Sequence, residues 1–435
     1  MVLTSQSASL IGVTRIQALN YRSLRYIDQG LRPFQILVGP NASGKSTFLD
    51  VIAILGDLLR TDLDTAVRGD SRLEIPMRAP DPRHLVWLRR GDHFELAVDL
   101  AIPEQLIESR NGKHERIRYE MVFNVGESPG IEVENVWLLT GTTKAASARQ
   151  LSIFPSPEPA PDHIVRQPNK RTPDGWRKIV SRGEAGKAYF RSETTNWNAP
   201  FALSSQKAAL ATLPEDRERF PVALWLRDVL QSGVQRIALS GEAMRCPSPP
   251  TRKHGYLPDG SNLPYVVERL ERQNKKQYAR WLEHVREGLP DIDSVTTQER
   301  PEDRHRYLVL RYRNGLEAPS WLVSDGTLRM LALTLLAYTS DVHGGIYLIE
   351  EPENGIHPRA VETVYQALSS VYGAQVLLAT HSPVILGMAN LDDLLCFARD
   401  TDGATDVVSG VDHPSLKAWK GTLDLSSLFA AGVLG

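Results

Sequence analysis

The chain has 435 residues, of which 42% are hydrophobic and 23% charged, enough for two or three compact units of ordinary globular composition. A formal net charge of −2 neither requires nor excludes nucleic acid, because a local basic face can sit inside a neutral total. The two cysteines, Cys246 and Cys396, exclude a disulfide framework and a cysteine metal cluster, and fit a reducing cytosol.

The start, Met1 to Leu10, lacks the basic region and long apolar run of a secretory signal. Ile11 to Leu24 reads as a strand and turn, with Tyr21 and Arg22 as candidates for adenine or ribose contact and a plain surface edge as the alternative. Phe34 to Val38 is a short apolar run, predicted to be a buried strand. It leads into Gly39-Pro40-Asn41-Ala42-Ser43-Gly44-Lys45-Ser46-Thr47, a glycine, four residues, then Gly-Lys-Ser. Thr47 to Leu59 carries a helical apolar pattern. Strand, glycine-rich turn and helix start together aim backbone N–H groups at nucleotide phosphates. Lys45 is placed to reach the β- and γ-phosphates, and the Ser46 hydroxyl to help hold Mg²⁺.

Thr61 to Pro82 reads as an irregular connector. Period-two runs follow at Leu85–Leu88, Phe94–Leu100, Arg116–Val125 and Ile131–Leu139, and predict an antiparallel meander. Ser147 to Gly186 is rich in proline and glycine. Between His163 and Arg191 eight basic residues stand against two acidic ones, with Trp176, Tyr189 and Phe190 among them. This makes Lys170, Arg171, Arg177 and Lys178 the nucleic-acid candidates of the chain, a solvated loop being the alternative. Helical patterns cover Ser204–Leu213 and Arg217–Gln231, Ala238–Pro250 reads as a loop, and Asp259-Gly260-Ser261-Asn262 opens a long amphipathic helix to about Glu287. Arg304 to Arg313 alternates as a strand, and from Trp321 the pattern returns to an α/β core. The apolar run Leu328–Leu336 is too short for a bilayer and predicts a buried helix.

Ile346 to Pro352 is an apolar strand that ends in two carboxylates. Glu350 is the candidate for the magnesium hydration shell and Glu351 for polarising the attacking water. Gln375 to Thr380 is a further apolar strand, and His381 follows it as Glu350 follows the previous one, so both side chains can enter one crevice. Val323-Ser324-Asp325-Gly326 opens the apolar helix with a serine cap and free N–H groups, an anion-binding arrangement.

Four stretches in order, GPNASGKST from Gly39, LVSDGTLRM from Leu322, IYLIEEPENGIHP from Ile346 and LLATHSPVIL from Leu377, resemble the ATP-binding-cassette ATPases of the RecF and SMC group, and especially the OLD-like AAA ATPases. The resemblance implies an α/β P-loop NTPase fold: an ABC-ATPase-like head whose mixed sheet is flanked by helices, with a large α+β insertion between the phosphate loop and the signature. The expected division is a core of 1–60 and 320–400, a β-rich lobe at 61–145, a mostly loop and helical insertion at 146–319, and an extension at 401–435. It further implies that Ser324, Asp325 and Gly326 are the signature, acting in trans on the site built by Lys45, Ser46, Glu350, Glu351 and His381 of another copy. ATP and Mg²⁺ would then lie at the interface of a homodimer or higher even oligomer. The signature reads Ser-Asp-Gly-Thr and the metal-proximal acid is glutamate, both as in this subgroup, whereas the lid glutamine has only Gln150 as a weak match. With fifty-four residues after His381, no OLD-type nuclease domain is expected. The expectation is therefore a cytoplasmic ATPase switch of an anti-phage defence system with a separate effector protein. The alternatives are a DNA repair or recombination ATPase that binds DNA directly, and a soluble transporter subunit.

Overall fold

The computed structural model describes residues 12–108, 113–141, 153–167, 171–183, 186–252, 255–339, 344–417 and Leu425. Among the described residues, seventeen strands form three sheets. The first contains β1 (Val13–Tyr21), β2 (Leu24–Gly30), β4 (His93–Ala101), β5 (Arg116–Asn124), β6 (Gly130–Leu139), β7 (Trp176–Arg182), β8 (Lys187–Arg191) and β9 (Asn198–Ala202), antiparallel throughout in the order β2-β1-β4-β5-β6-β7-β8-β9. The second is built from β3 (Phe34–Val38), β10 (Val234–Ile237), β14 (Ile346–Glu350), β15 (Gln375–Thr380), β16 (Leu394–Arg399) and β17 (Thr405–Ser409). Its order is β10-β14-β15-β3-β16-β17, parallel except for the last pair. A small third sheet joins β11 (Ile292–Glu299), β12 (Arg306–Tyr312) and β13 (Glu317–Pro319).

The parallel sheet is buried on both faces, as its near-continuous apolar strands require. Leu37, Leu348, Leu377, Leu395 and Phe397 face the antiparallel sheet, and their neighbours Ile36, Val38, Ile349, Leu378 and Cys396 face the helices of the C-terminal half. Between the two sheets lies the helix Lys45–Arg60, buried without a break from Phe48 to Leu59. Such a helix must be apolar all round, and this one nonetheless carries Asp50 and Asp57.

Both acids are compensated. Asp50 Oδ2 accepts from the Tyr21 hydroxyl at 2.7 Å, and Oδ1 from Arg78 at 2.8 Å and from Arg236 at the same oxygen. Arg78 reaches Asp57 as well, at 2.7 Å. Burial acts to raise the Asp50 pKa, but Arg78, Arg236, the Tyr21 hydroxyl and Arg22 outweigh it and hold the carboxyl below its ordinary 3.8. Gln375 makes a second tie between the sheets, its buried amide accepting from Val13 N at 2.9 Å and donating to Val13 O at 2.8 Å.

Several expectations are corrected. Leu85–Leu88 is not a strand: Asp81 caps a 3-10 turn at Pro82–Leu85, and a second turn follows at Trp87–Arg89 with Leu88 at φ 50°. Residues 146–319 hold β7 to β13 beside the helices and turns expected there. Their strands are short, and Pro200 lies in the edge strand β9, where the missing N–H costs no ladder bond. Ser204–Leu213 holds only a 3-10 turn at Leu210–Thr212, and the expected loop Ala238–Pro250 contains a helix at Gly241–Arg245. The long helix is two, Leu263–Gln273 and Lys275–Gly288, because Asn274 leaves helical geometry and its side chain caps Gln277 N at 3.1 Å. Gln150 lies outside the described residues. Among the described residues no helix is long and apolar enough to cross a membrane.

Arg78→Met leaves two buried carboxylates short of their shared cation and is expected to destabilise the fold by about 3–5 kcal/mol, read from urea denaturation. The Asp50 contribution is present above its unfolded pKa near 3.8 and is lost as pH falls through its lower folded value, so the variant's deficit should shrink only in that acid range.

Candidate nucleotide-binding site

At the C-terminal ends of β3, β14 and β15 the chain opens a cleft of about 390 Å³ lined by Asn41 to Thr47, Glu350, Glu351, Ala379, Arg22, Ser23 and Arg399. Strands of a parallel sheet end here, which is where such sheets hold ligands. The turn after β3 runs from Gly39 to Gly44, with Ala42 and Gly44 at positive φ and Ser43 N donating to Pro40 O at 3.2 Å. The helix starts at Lys45, its first N–H groups at the loop.

Gly44 is held at φ 107°, and a Cβ there would overlap the Thr405 side chain. Thr405, the first residue of β17, supports the loop from behind: its hydroxyl donates to Ser43 O at 2.9 Å and lies 3.0 Å from Ser23 Oγ. The Lys45 ammonium donates to the carbonyls of Gly39 at 2.7 Å and Pro40 at 2.8 Å. Burial pushes its pKa below the ordinary value, while the charges of Glu351 and Glu350 pull the other way. A partly desolvated cation beside a row of N–H groups is suited to a polyanion.

Across the cleft, Ser46 Oγ donates to Glu350 Oε2. Hydroxyl and carboxylate together form a hard-oxygen donor pair. Glu351 has φ 48°, a left-handed backbone in a residue with a long side chain. Its N–H bonds to Ala379 O at 2.8 Å, which fixes it against β15. Its Oε2 accepts from the Asn354 amide, and its Oε1 lies 3.5 Å from His381 Nδ1. Glu353, to which sequence reading gave no role, holds this end in place: Oε1 accepts from Thr380 Oγ1 at 2.7 Å and from His381 N at 3.3 Å.

The structure thus brings together Gly39 to Thr47, Glu350, Glu351 and His381, with His381 beside Glu351 at the cleft's edge. Ser324, Asp325 and Gly326 are elsewhere. Ser324 caps the helix Asp325–Leu335, accepting from Thr327 N at 3.2 Å, and Asp325 pairs with Arg329 at 2.8 Å. Gly326 packs so closely on Gly355 O that a Cβ would overlap it. These three line no part of the cleft. Of the two N-terminal candidates, Arg22 lines the cleft, whereas Tyr21 is buried against Asp50 and has no access to a ligand. Arg399 was missed, although it ends a parallel strand as Glu350 does and the same strand-end rule points to it.

The basic candidates are dispersed. Lys170 lies outside the described residues, and Arg171 is exposed. Arg177 donates to Ser192 O at 2.7 Å, and Lys178 lies over the Trp137 ring at 4.5 Å, its pKa lowered first by burial and then by Arg191.

A family model described as "AAA domain, putative AbiEii toxin, Type IV TA system" matches residues 149–387, more than half of the chain. The matched span includes Ser324, Glu350, Glu351 and His381, and the phosphate loop precedes it. A search of curated proteins finds no match. Among solved structures the chain is similar to an Smc head bound to the C-winged helix domain of ScpA, with 14% identity and a TM-score of 0.51 over 91% of this chain and 96% of that one. An Smc head with an extended coiled coil bound to the C-terminal domain of ScpA, derived from Pyrococcus furiosus, gives 14% identity and a TM-score of 0.45, covering 91% of this chain and 95% of that one. An SMC head domain from Thermotoga maritima gives 11% and 0.42, covering 91% and 98%. The first of these establishes a shared P-loop ATPase head fold, mixed α/β with its sheet flanked by helices.

Gly44→Ala is expected to cost about 1–3 kcal/mol in stability and to abolish nucleotide binding, because the new methyl forces the loop off Thr405; thermal denaturation and fluorescent-nucleotide titration read the two effects.

Proposed function

This chain belongs to the AbiEii-type AAA domain family, and from that premise we propose that it is a Mg²⁺-dependent ATPase working as a dimeric switch, the cytoplasmic ATP-hydrolysing sensor of an anti-phage defence system with a separate effector protein. The observation that carries the reading is the convergence of Lys45, Ser46, Glu350 and Glu351 on one cleft at the ends of three parallel strands.

Ser46 and Glu350 present adjoining hard oxygens, the donor set that suits Mg²⁺, and these two residues would hold the ion. When bound, the ion neutralises charge on the β- and γ-phosphate oxygens. The loop N–H groups bind and orient the phosphates, and Lys45 exchanges its carbonyl partners for the β- and γ-oxygens. Glu351 accepts a proton from water as the water oxygen bonds to the γ-phosphorus. The bond from that phosphorus to the bridging oxygen breaks, releasing ADP and phosphate. His381 hydrogen-bonds the γ-phosphate and keeps Glu351 turned toward the water. Glu353 positions His381 through its backbone N–H.

Ser324, Asp325 and Gly326 open an 11-residue helix at an exposed face, away from their own cleft. A second copy that presents this helix start to the γ-phosphate would complete the site, so that closure depends on ATP and relaxes after hydrolysis. The effector-linked role draws on the family description, which names a toxin and a Type IV TA system. The similar Smc head is itself described bound to a domain of another protein. Direct action on DNA has less in its favour, since Arg177 and Lys178 already serve contacts within the fold.

The native protein is expected to turn over ATP, and Glu351→Gln to lower turnover by about 100-fold or more while trapping an ATP-dependent assembly of twice the mass, measured by phosphate release and light scattering. Failure of both proteins to bind ATP or assemble rejects the switch. Strong stimulation by duplex DNA transfers the weight to direct DNA action. Because Lys45 has its pKa held below 10.5, ATP affinity measured by calorimetry should fall as pH rises through that lowered value, while Lys45→Ala shows weak binding without the fall.

A further inference from the structure

Far from any role in ATP hydrolysis, the antiparallel sheet buries charge on the face turned away from the core. Along β4, Phe94, Leu96, Val98 and Leu100 enter the core, so His93, Glu95, Ala97 and Asp99 fall on the opposite face. Residues 163–166 cross this face and are held there by buried carboxylates. Glu95 Oε2 accepts from Ile164 N at 2.7 Å and Val165 N at 2.8 Å, and Glu120 Oε1 accepts from Arg166 N at 3.1 Å.

Glu95 is fully buried, and its other oxygen faces His163 Nδ1 at 2.6 Å. His93 stands two residues earlier on the same face, its ring centroid 6.2 Å from that of His163. One ligand atom from each of His93, Glu95 and His163 lies within 4.8 Å of the other two, the one such group among the described residues. Asp92 Oδ1 is 3.1 Å from His93 Nδ1.

We propose that His93, Glu95 and His163 bind a divalent transition-metal ion, Zn²⁺ in the first instance, which clasps residues 163–166 onto β4. Two imidazoles and one carboxylate are a borderline donor set. Mg²⁺ and Ca²⁺ favour oxygen alone, whereas imidazole suits Zn²⁺ and its neighbours. Zinc bonds of about 2.0–2.2 Å place tetrahedral ligand atoms roughly 3.3–3.6 Å apart. The two rings are partly exposed, so binding requires them to close from the observed spread and Glu95 Oε1 to give way slightly from His163. The backbone N–H groups on Glu95 Oε2 orient the carboxylate, as outer-shell partners do at metal sites. A fourth position remains for water. The competing account is a plain His163–Glu95 hydrogen bond that takes up no metal.

The test uses the full chain, freed of metal by chelator and kept without nucleotide, with Co²⁺ as the probe and Zn²⁺ as its competitor. One equivalent of Co²⁺ should give visible ligand-field bands of a four-coordinate nitrogen and oxygen site, discharged by Zn²⁺. His93→Ala and His163→Ala should each weaken Zn²⁺ binding by at least about 10-fold in calorimetry, with unchanged circular dichroism. His84→Ala, an exposed histidine outside the cluster, should leave affinity and spectrum as they are. Absence of saturable binding at one equivalent, or equal affinity in the native protein and both cluster variants, overturns the proposal. Because no nucleotide is present, either result is independent of whether the chain hydrolyses ATP.

Discussion

A helix enclosed on every side can keep a carboxylate only if cations are brought to it, and Asp50 imposes that condition on a large part of this molecule. Tyr21 arrives from β1, Arg78 from the connector after the helix, and Arg236 from β10. A buried ionic cluster of this kind contributes little net stability against an apolar alternative, but removal of one member leaves a charge without compensation. Its effect is positional. The helix that begins at Lys45 is fixed in rotation and height between two sheets, and the phosphate loop at its start inherits that placement.

What could be read from the residues was what is local. The strand Phe34–Val38, the glycine turn and the helix announce themselves in one continuous stretch from Phe34 to Leu59, and the strand ends at Glu350 and His381 follow from runs of apolar residues. Pairing over distance was not visible. β7 to β9 are short and interrupted by proline and glycine, so their period-two signal is weak, and only their register against β6 reveals them as one sheet with β1. β10 is four residues long and is defined by its pairing with β14.

The same limit applied to single side chains. Tyr21 and Arg22 are adjacent in sequence, and no pattern said that one would be buried on Asp50 while the other reached the cleft. Glu353 was hidden among three acids in a row of four residues, and its contact with Thr380 and His381 depends on how the turn folds back over β15. Lys178 belongs by composition to a basic stretch, yet its place on β7 puts the ammonium over Trp137.

β3 lies between β15 and β16, with parallel partners on both sides. Roughly 340 residues of chain separate Val38 from the start of β15, and a ribosome working at about 5–20 residues per second needs on the order of tens of seconds to make them. Throughout that interval the phosphate loop hangs from a strand with two unpaired edges. The central ladder closes late, after non-local segments have met, so folding carries a large loop-closure cost. Among the described residues the antiparallel sheet takes no strand from beyond β9 and is free to form earlier, giving the newborn chain a platform on which β3 waits.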